Sequence, residues 1–191
     1  MPNSDRPHSL RVLGIDPGLQ ATGYGLIDQR GSDARLVEGG VIRSRADELL
    51  EARLLRIHDE IRDVLREFEP DVAVVEEVYS KYAHPRTAIL MGHARGVVYL
   101  AAAERGVAVE AYAASTVKRA LVGTGRGTKE QIRRMVIRLL GLPDEPLETH
   151  VADALALAIC HASPARLEAA VVRHPHRLPP RLRELLEGEP Q

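Results

Sequence analysis

The sequence predicts an α/β fold, a mixed five-stranded sheet with helices on both faces. Strand-like runs come first as a group of three and then singly between helical stretches, in the order three strands, helix, strand, helix, strand, helices. Turn-rich Gln29-Arg30-Gly31-Ser32-Asp33 joins the second and third runs, so the group reads as an antiparallel meander. At 191 residues the chain suffices for one domain with a full core. With no Trp, one Phe and five Tyr, that core must be built from Leu, Val, Ile and Ala.

The elements follow in order. Leu10 to Ile15 is an apolar run stopped by Asp16-Pro17-Gly18, a strand ending in a turn. Gly23 to Asp28 and Ala34 to Arg43 read as the next two strands. Ser44 and Asp47 are expected to cap a long helix ending before Pro70, with Leu50, Leu54, Ile57, Ile61, Val64, Leu65 and Phe68 spaced by threes and fours on its core face. Asp71 to Val75 is a compact strand closed by Glu76-Glu77. Ser80 to Pro85 is read as a loop, followed by a helix to about Arg105, a strand from Val107 to Tyr112 and a short helix from Ser115. Thr128 and Gln131 cap the next helix, which ends near Gly141, and Thr149 to Ala162 is the last. The folded domain is therefore expected over 9–162. Residues 163–191, rich in Pro, Arg and Glu, are expected to be a loosely held tail.

One cysteine, Cys160, excludes an internal disulfide framework. No stretch approaches the roughly 18 apolar residues of a spanning helix, so the expectation is a soluble cytoplasmic protein. Net charge is −1, but its distribution is uneven. From Ser115 to Arg138 stand Lys118, Arg119, Arg126, Lys129, Arg133, Arg134 and Arg138 against Glu130 alone.

Chemistry is expected where acidic residues interrupt apolar elements. Asp16 ends the first strand, Glu76 ends Val72-Ala73-Val74-Val75, and Asp153 sits inside a helix that is apolar on almost every side. A carboxylate in such a setting is costly unless paired, hydrogen-bonded or bound to a cation, and several together call for a divalent metal. His150 precedes Asp153 by three residues, so both project from one helix face. Glu76 and Glu77 point to opposite sides of a strand, so at most one can join the site. Plain readings stand beside these: Asp16 as a turn opener, Glu76 as a solvated strand end, His150 as a first-turn surface residue, Asp153 hydrogen-bonded to backbone or a tyrosine hydroxyl.

Leu13-Gly14-Ile15-Asp16-Pro17-Gly18 with Thr22-Gly23-Tyr24-Gly25, then Val75-Glu76-Glu77-Val78-Tyr79, then Gly92-His93-Ala94-Arg95-Gly96, then His150-Val151-Ala152-Asp153-Ala154-Leu155-Ala156 strongly resemble the RuvC family. These are crossover-junction endodeoxyribonucleases of ribonuclease-H-like fold, and the likeness runs from about Leu10 to His161 with every motif in order. The resemblance implies that Asp16, Glu76 and Asp153 are the catalytic, metal-binding carboxylates, and it selects Glu76 over Glu77. Two ions, Mg²⁺ or Mn²⁺, are expected per site during catalysis, with Asp16 as the bridging ligand and Glu76, Asp153 and His150 completing the two sites. His150 stands where other members carry aspartate. Imidazole suits softer ions, so Mn²⁺ is expected to be favoured over Mg²⁺. The resemblance also assigns Lys118 and Lys129 to phosphate contacts and Tyr79 to stacking on a base at the junction centre. Arg126, in a glycine-flanked loop, is a further phosphate candidate, while Arg133, Arg134 and Arg138 could simply be the wet face of their helix.

A four-way junction has near two-fold symmetry, so a homodimer with one site per subunit is expected. The helix near Ala88 to Ala103 is the candidate interface, through Ile89, Leu90, Val97, Val98 and Leu100 with Gly92 and Gly96 one turn apart. A branch-migration motor complex is implied as partner by the family alone. Competing readings are a same-fold nuclease that processes structured RNA, a junction-binding module without catalysis, and an actin-like ATPase, for which the length leaves no second domain.

Overall fold

A computed structural model of the chain describes residues 9–77, 85–143 and 146–163. Strands β1 (Leu10–Asp16), β2 (Ala21–Arg30) and β3 (Asp33–Arg43) form the meander, the first turn made by Pro17 to Gln20 and the second by Gly31-Ser32. There follow α1 (Leu50–Phe68), β4 (Val72–Glu76), α2 (Pro85–Glu104), β5 (Ala108–Tyr112), α3 (Ala114–Val122), α4 (Lys129–Leu140) and α5 (Thr149–Ala162). The five strands lie in the order β3-β2-β1-β4-β5. β1 pairs antiparallel with β2 and parallel with β4, and β4 pairs parallel with β5, so the expected mixed sheet is found.

Strand alternation divides the core in two. Leu13, Ile15, Leu26, Ala73 and Val75 face α1 and α2, packing with Ile57, Ile61, Leu65, Ala94 and Val98. Leu10, Val12, Ile27, Val72 and Val74 face α3, α4 and α5, packing with Val117, Val136, Leu155 and Ala158. Two residues beyond Val74, Glu76 projects to the α5 side, and Asp16, four residues beyond Val12, does so by the same alternation. The pairing Glu76↔Tyr112 puts Tyr112 beside Glu76 on the next strand.

Two expectations are corrected. Ser44 does not cap α1, which begins at Leu50 with Leu49 at the N-cap position and no side-chain cap. Its hydroxyl instead donates to the Leu19 carbonyl (2.5 Å) and accepts from Arg53 Nε (3.0 Å), and Asp47 pairs with Arg45. This ties buried Arg53 to the turn that follows Asp16. On α2, Val98 is fully buried and so cannot join an outward contact face, and Leu90 and Val97 are partly buried against the core. Ile89 (60 % exposed) and Leu100 (53 %) do point outward. Thr128 and Gln131 make the expected reciprocal cap of α4, and Gly141 ends that helix in the left-handed conformation.

Candidate active site

α5 carries His150 and Asp153, and glycines determine how close it comes to the sheet. A Cβ at Gly14 would overlap the Ala154 carbonyl oxygen, and one at Gly23 would overlap the backbone of His150. At Gly25 it would strike the Leu155 side chain, at Gly39 that of Val151. The helix therefore crosses β3, β2 and β1 along a channel with no side chains in its floor. Its first turn lands at the end of β1, where Asp16 stands.

There His150 Nδ1 lies 3.1 Å from Asp16 Oδ2, and Lys129 Nζ, from the first residue of α4, donates to Asp153 Oδ2 at 3.1 Å. Lys129 is the positive partner that the apolar α5 could not itself provide for Asp153. Glu76, on the adjacent strand, lines a cleft of about 220 Å³ with Lys118, Lys129 and Asp153. Burial, reinforced by the charges of Asp16 and Asp153, pushes Glu76 up to about 7, while Lys129 and Lys118 oppose the shift. Asp16 is also raised, mainly by burial and then by Asp153, against the lowering effect of its bond to His150. Glu77, exposed just past β4, is outside this group.

Glu76 and Asp153 thus line the cleft, and Asp16, paired with His150, stands near enough for its charge to act on Glu76; with Lys129, the four form two engaged pairs and a half-buried glutamate. Among the described residues, no group of three or more His, Cys, Asp or Glu side chains is arranged to hold a metal ion. The donor set nevertheless fits a divalent cation in its chemistry. It offers hard carboxylate oxygens and one imidazole, and Asp16 and Glu76 hold their protons more tightly than usual, first through burial and then through the charge of Asp153 nearby.

Of the predicted DNA contacts, Lys118 and Lys129 border the cleft, and Arg126 lies exposed on the loop before α4 with its backbone N–H donating to Thr124 Oγ1. Arg133 and Arg134 both pair with Glu130, in keeping with the plain reading of a wet helix face. Tyr79 lies outside the described residues, as does most of the predicted 80–85 loop. Sequence reasoning missed the glycine channel, although Gly23 and Gly25, two apart in a strand and so on one face, carried its signal. It also missed buried His161, a polar residue in the same apolar helix as Asp153.

The raised pKa of Glu76 has a thermodynamic sign. The folded chain keeps a proton that the unfolded chain has released, so between pH 4.5 and about 7 rising pH costs stability. In chelator, Glu76→Gln is expected to melt at a higher temperature than the parent at pH 8 and at the same temperature at pH 4.5. Added Mn²⁺ should narrow the gap at pH 8. A melting difference independent of pH would contradict this account.

The sheet order, the two helical layers and the acidic cleft at the carboxyl ends of the central strands define a nuclease of ribonuclease-H-like fold. A model of the crossover junction endodeoxyribonuclease RuvC family matches residues 12–161, and the chain belongs to that family. The crossover junction endodeoxyribonuclease RuvC of Bordetella avium is 46% identical over 159 residues, 83% of this chain and 87% of that protein. The structure of T. thermophilus RuvC in complex with Holliday junction substrate superposes with a TM-score of 0.78 at 41% identity, covering 83% of this chain and 96% of that one. The yeast mitochondrial Holliday junction resolvase Ydc2, at 16% identity and a TM-score of 0.60 over 90% of this chain and 86% of its own, shares the fold. Among the described residues no helix is long and apolar enough to cross a membrane.

Proposed function

We propose that the chain resolves four-way (Holliday) DNA junctions by paired symmetric nicks, through divalent-metal-assisted phosphodiester hydrolysis, in DNA recombination and repair. What supports this reading is that the Asp16–His150 pair and the Lys129–Asp153 pair, from separated stretches of chain, lie beside Glu76 at a cleft lined by Glu76, Asp153, Lys118 and Lys129. Family membership and the junction-bound T. thermophilus relative support the substrate.

Asp16, Glu76, His150 and Asp153 would hold Mg²⁺ or Mn²⁺, which when bound activates a water and stabilises the leaving oxygen. The protein's own groups do the rest. His150 orients the Asp16 carboxylate through its 3.1 Å contact. Lys129 neutralises Asp153 and stands at the cleft mouth, where a DNA phosphate can take its place as partner. Lys118, Lys129 and Arg126 attract the backbone, which makes binding sensitive to salt, and Tyr79 is assigned to stacking on a junction base.

The test is a synthetic junction with an immobile core, incubated with Mg²⁺ or Mn²⁺. Paired nicks placed symmetrically about the crossover are expected, with structured RNA left intact; equal cleavage of RNA would transfer the chain to RNA processing. His150→Asp should raise activity with Mg²⁺ relative to Mn²⁺, because it restores a hard oxygen ligand.

Paired nicks need a homodimer, and α2 supplies a surface for one. Ile89, Gly92, Gly96 and Leu100 fall at i, i+3, i+7 and i+11, one outward stripe in which a Cβ at either glycine would meet open space. Leu100→Glu is expected to shift the protein to monomer in sedimentation and to turn paired nicks into single ones. A variant that stays dimeric would move the interface elsewhere. The branch-migration motor complex remains the partner that the family suggests.

A further inference from the structure

The apolar interior of α5 contains one more polar residue besides Asp153. His161 is 3 % exposed, and its Nδ1 lies 2.9 Å from the hydroxyl of Tyr112, with the two rings tilted at 56°. Its other nitrogen, Nε2, is buried with no hydrogen-bond partner among the described residues. Burial lowers its pKa to about 4, so the ring is neutral at physiological pH. A buried imidazole with an unmatched nitrogen costs stability where a leucine would simply pack. Its neighbours Leu157, Ala158 and Ala162 are of that apolar kind.

The placement of the pair gives the cost a purpose. His161 follows His150 by 11 residues, just over three full turns, and so lies on nearly the same line of the helix about 16 Å further on. Gly23, Gly25 and Gly14 seat the first half of α5 on β2 and β1. The second half runs on towards β5, where Tyr112 is the direct register partner of Glu76 and its carbonyl accepts from the Glu77 N–H at 2.9 Å. One end of the Tyr112–His161 bond is thus fixed to the strand beside Glu76, the other to the helix that carries His150 and Asp153.

We propose that Tyr112 and His161 are positioning residues of the nuclease, a strut that sets the separation between Glu76 and the α5 ligands. The inference rests on the nuclease reading above. Van der Waals packing alone lets a helix slide and tilt by fractions of an ångström over a sheet. A directional bond at the far end removes that freedom where α5 has left the glycine channel. Ligands on two elements must keep a fixed spacing to share cations and a phosphate, and small misplacements there cost rate steeply.

The experiment compares the wild type with Tyr112→Phe and with the double variant Tyr112→Phe/His161→Leu. It measures melting temperature, Mn²⁺ affinity of the DNA-free protein by calorimetry, junction affinity in chelator and single-turnover nicking. Tyr112→Phe is expected to slow nicking about tenfold and weaken Mn²⁺ binding severalfold, with junction affinity unchanged. Removing both polar partners should return the melting temperature to the wild-type value or above it, since neither group is then left unmatched. Nicking and Mn²⁺ binding should stay low in that double variant. If they recover along with the melting temperature, or if Tyr112→Phe leaves both unchanged, the pair only fills the core and the proposal fails. A wild type that nicks no junction would overturn the nuclease reading instead, and the Mn²⁺ affinities across the series would still decide the strut.

Discussion

Replacing Asp16 by Asn should lower junction nicking by about a thousandfold or more while the protein still folds and still binds the junction. Asparagine keeps the size of the side chain and an oxygen that can accept from His150, so the 3.1 Å contact need not be lost. What disappears is the charge that acts on Glu76 of β4 and faces His150 of α5. Removing a charged ligand costs several kcal/mol of transition-state stabilisation, and each 1.36 kcal/mol is about tenfold in rate. The substitution also relieves Glu76, because the charge of Asp16 is one cause of its raised pKa. Stability above pH 7 should therefore hold or rise, and junction binding in chelator should tighten slightly as repulsion of phosphate falls. Single-turnover nicking and gel shift on the same preparation check both halves. Nicking within tenfold of the parent would remove Asp16 from the site.

Gly14→Ala is expected to have the largest effect of any alanine substitution at the described glycines. The new carbon would overlap the Ala154 carbonyl oxygen and press on the Ala158 nitrogen, both backbone atoms of a helix packed on the sheet. Neither can rotate away as a side-chain tip would, so α5 must lift or β1 must sink. A stability loss of roughly 3 kcal/mol is expected, at the upper end for overpacked cores. Nicking should fall further than the unfolded fraction explains, because the helix that lifts carries His150 and Asp153. Gly31→Ala is the control. Gly31 sits in the β2–β3 turn at φ 57°, with open space where its Cβ would go, so the change costs only backbone strain, about 1 kcal/mol. Melting curves and nicking measured well below the midpoint separate the two. Equal activity in both variants would mean that the channel does not set the position of α5.

Much of this was legible in the chain. Three strands before the first helix, α1 with its apolar positions at threes and fours, and the Thr128–Gln131 box gave the architecture, because each rests on contacts local in sequence. Ser44 misled for the opposite reason. Its hydroxyl had a choice between capping α1 and bonding a carbonyl 25 residues earlier, and the tertiary partner won. α2 is apolar around most of its circumference, so periodicity could not say that Val98 faces inward and Leu100 outward. At the site, Asp16 and Asp153 were conspicuous as charges in apolar surroundings, and the alternation along β4 limited the choice between Glu76 and Glu77. The pairing of Lys129 with Asp153 could not be read, because the two helices are brought together only by folding.

The order of the elements also bears on when this nuclease could first become active. Asp16 and Glu76 lie on strands made early, whereas His150 and Asp153 arrive on α5, after all five strands have been synthesised. Until that helix settles into the channel, one layer of the core lacks its central member and the cleft has only half of its groups. On the proposed function, completing the fold and completing the site are then one event, so a chain without its seated α5 is expected to be unable to cut DNA.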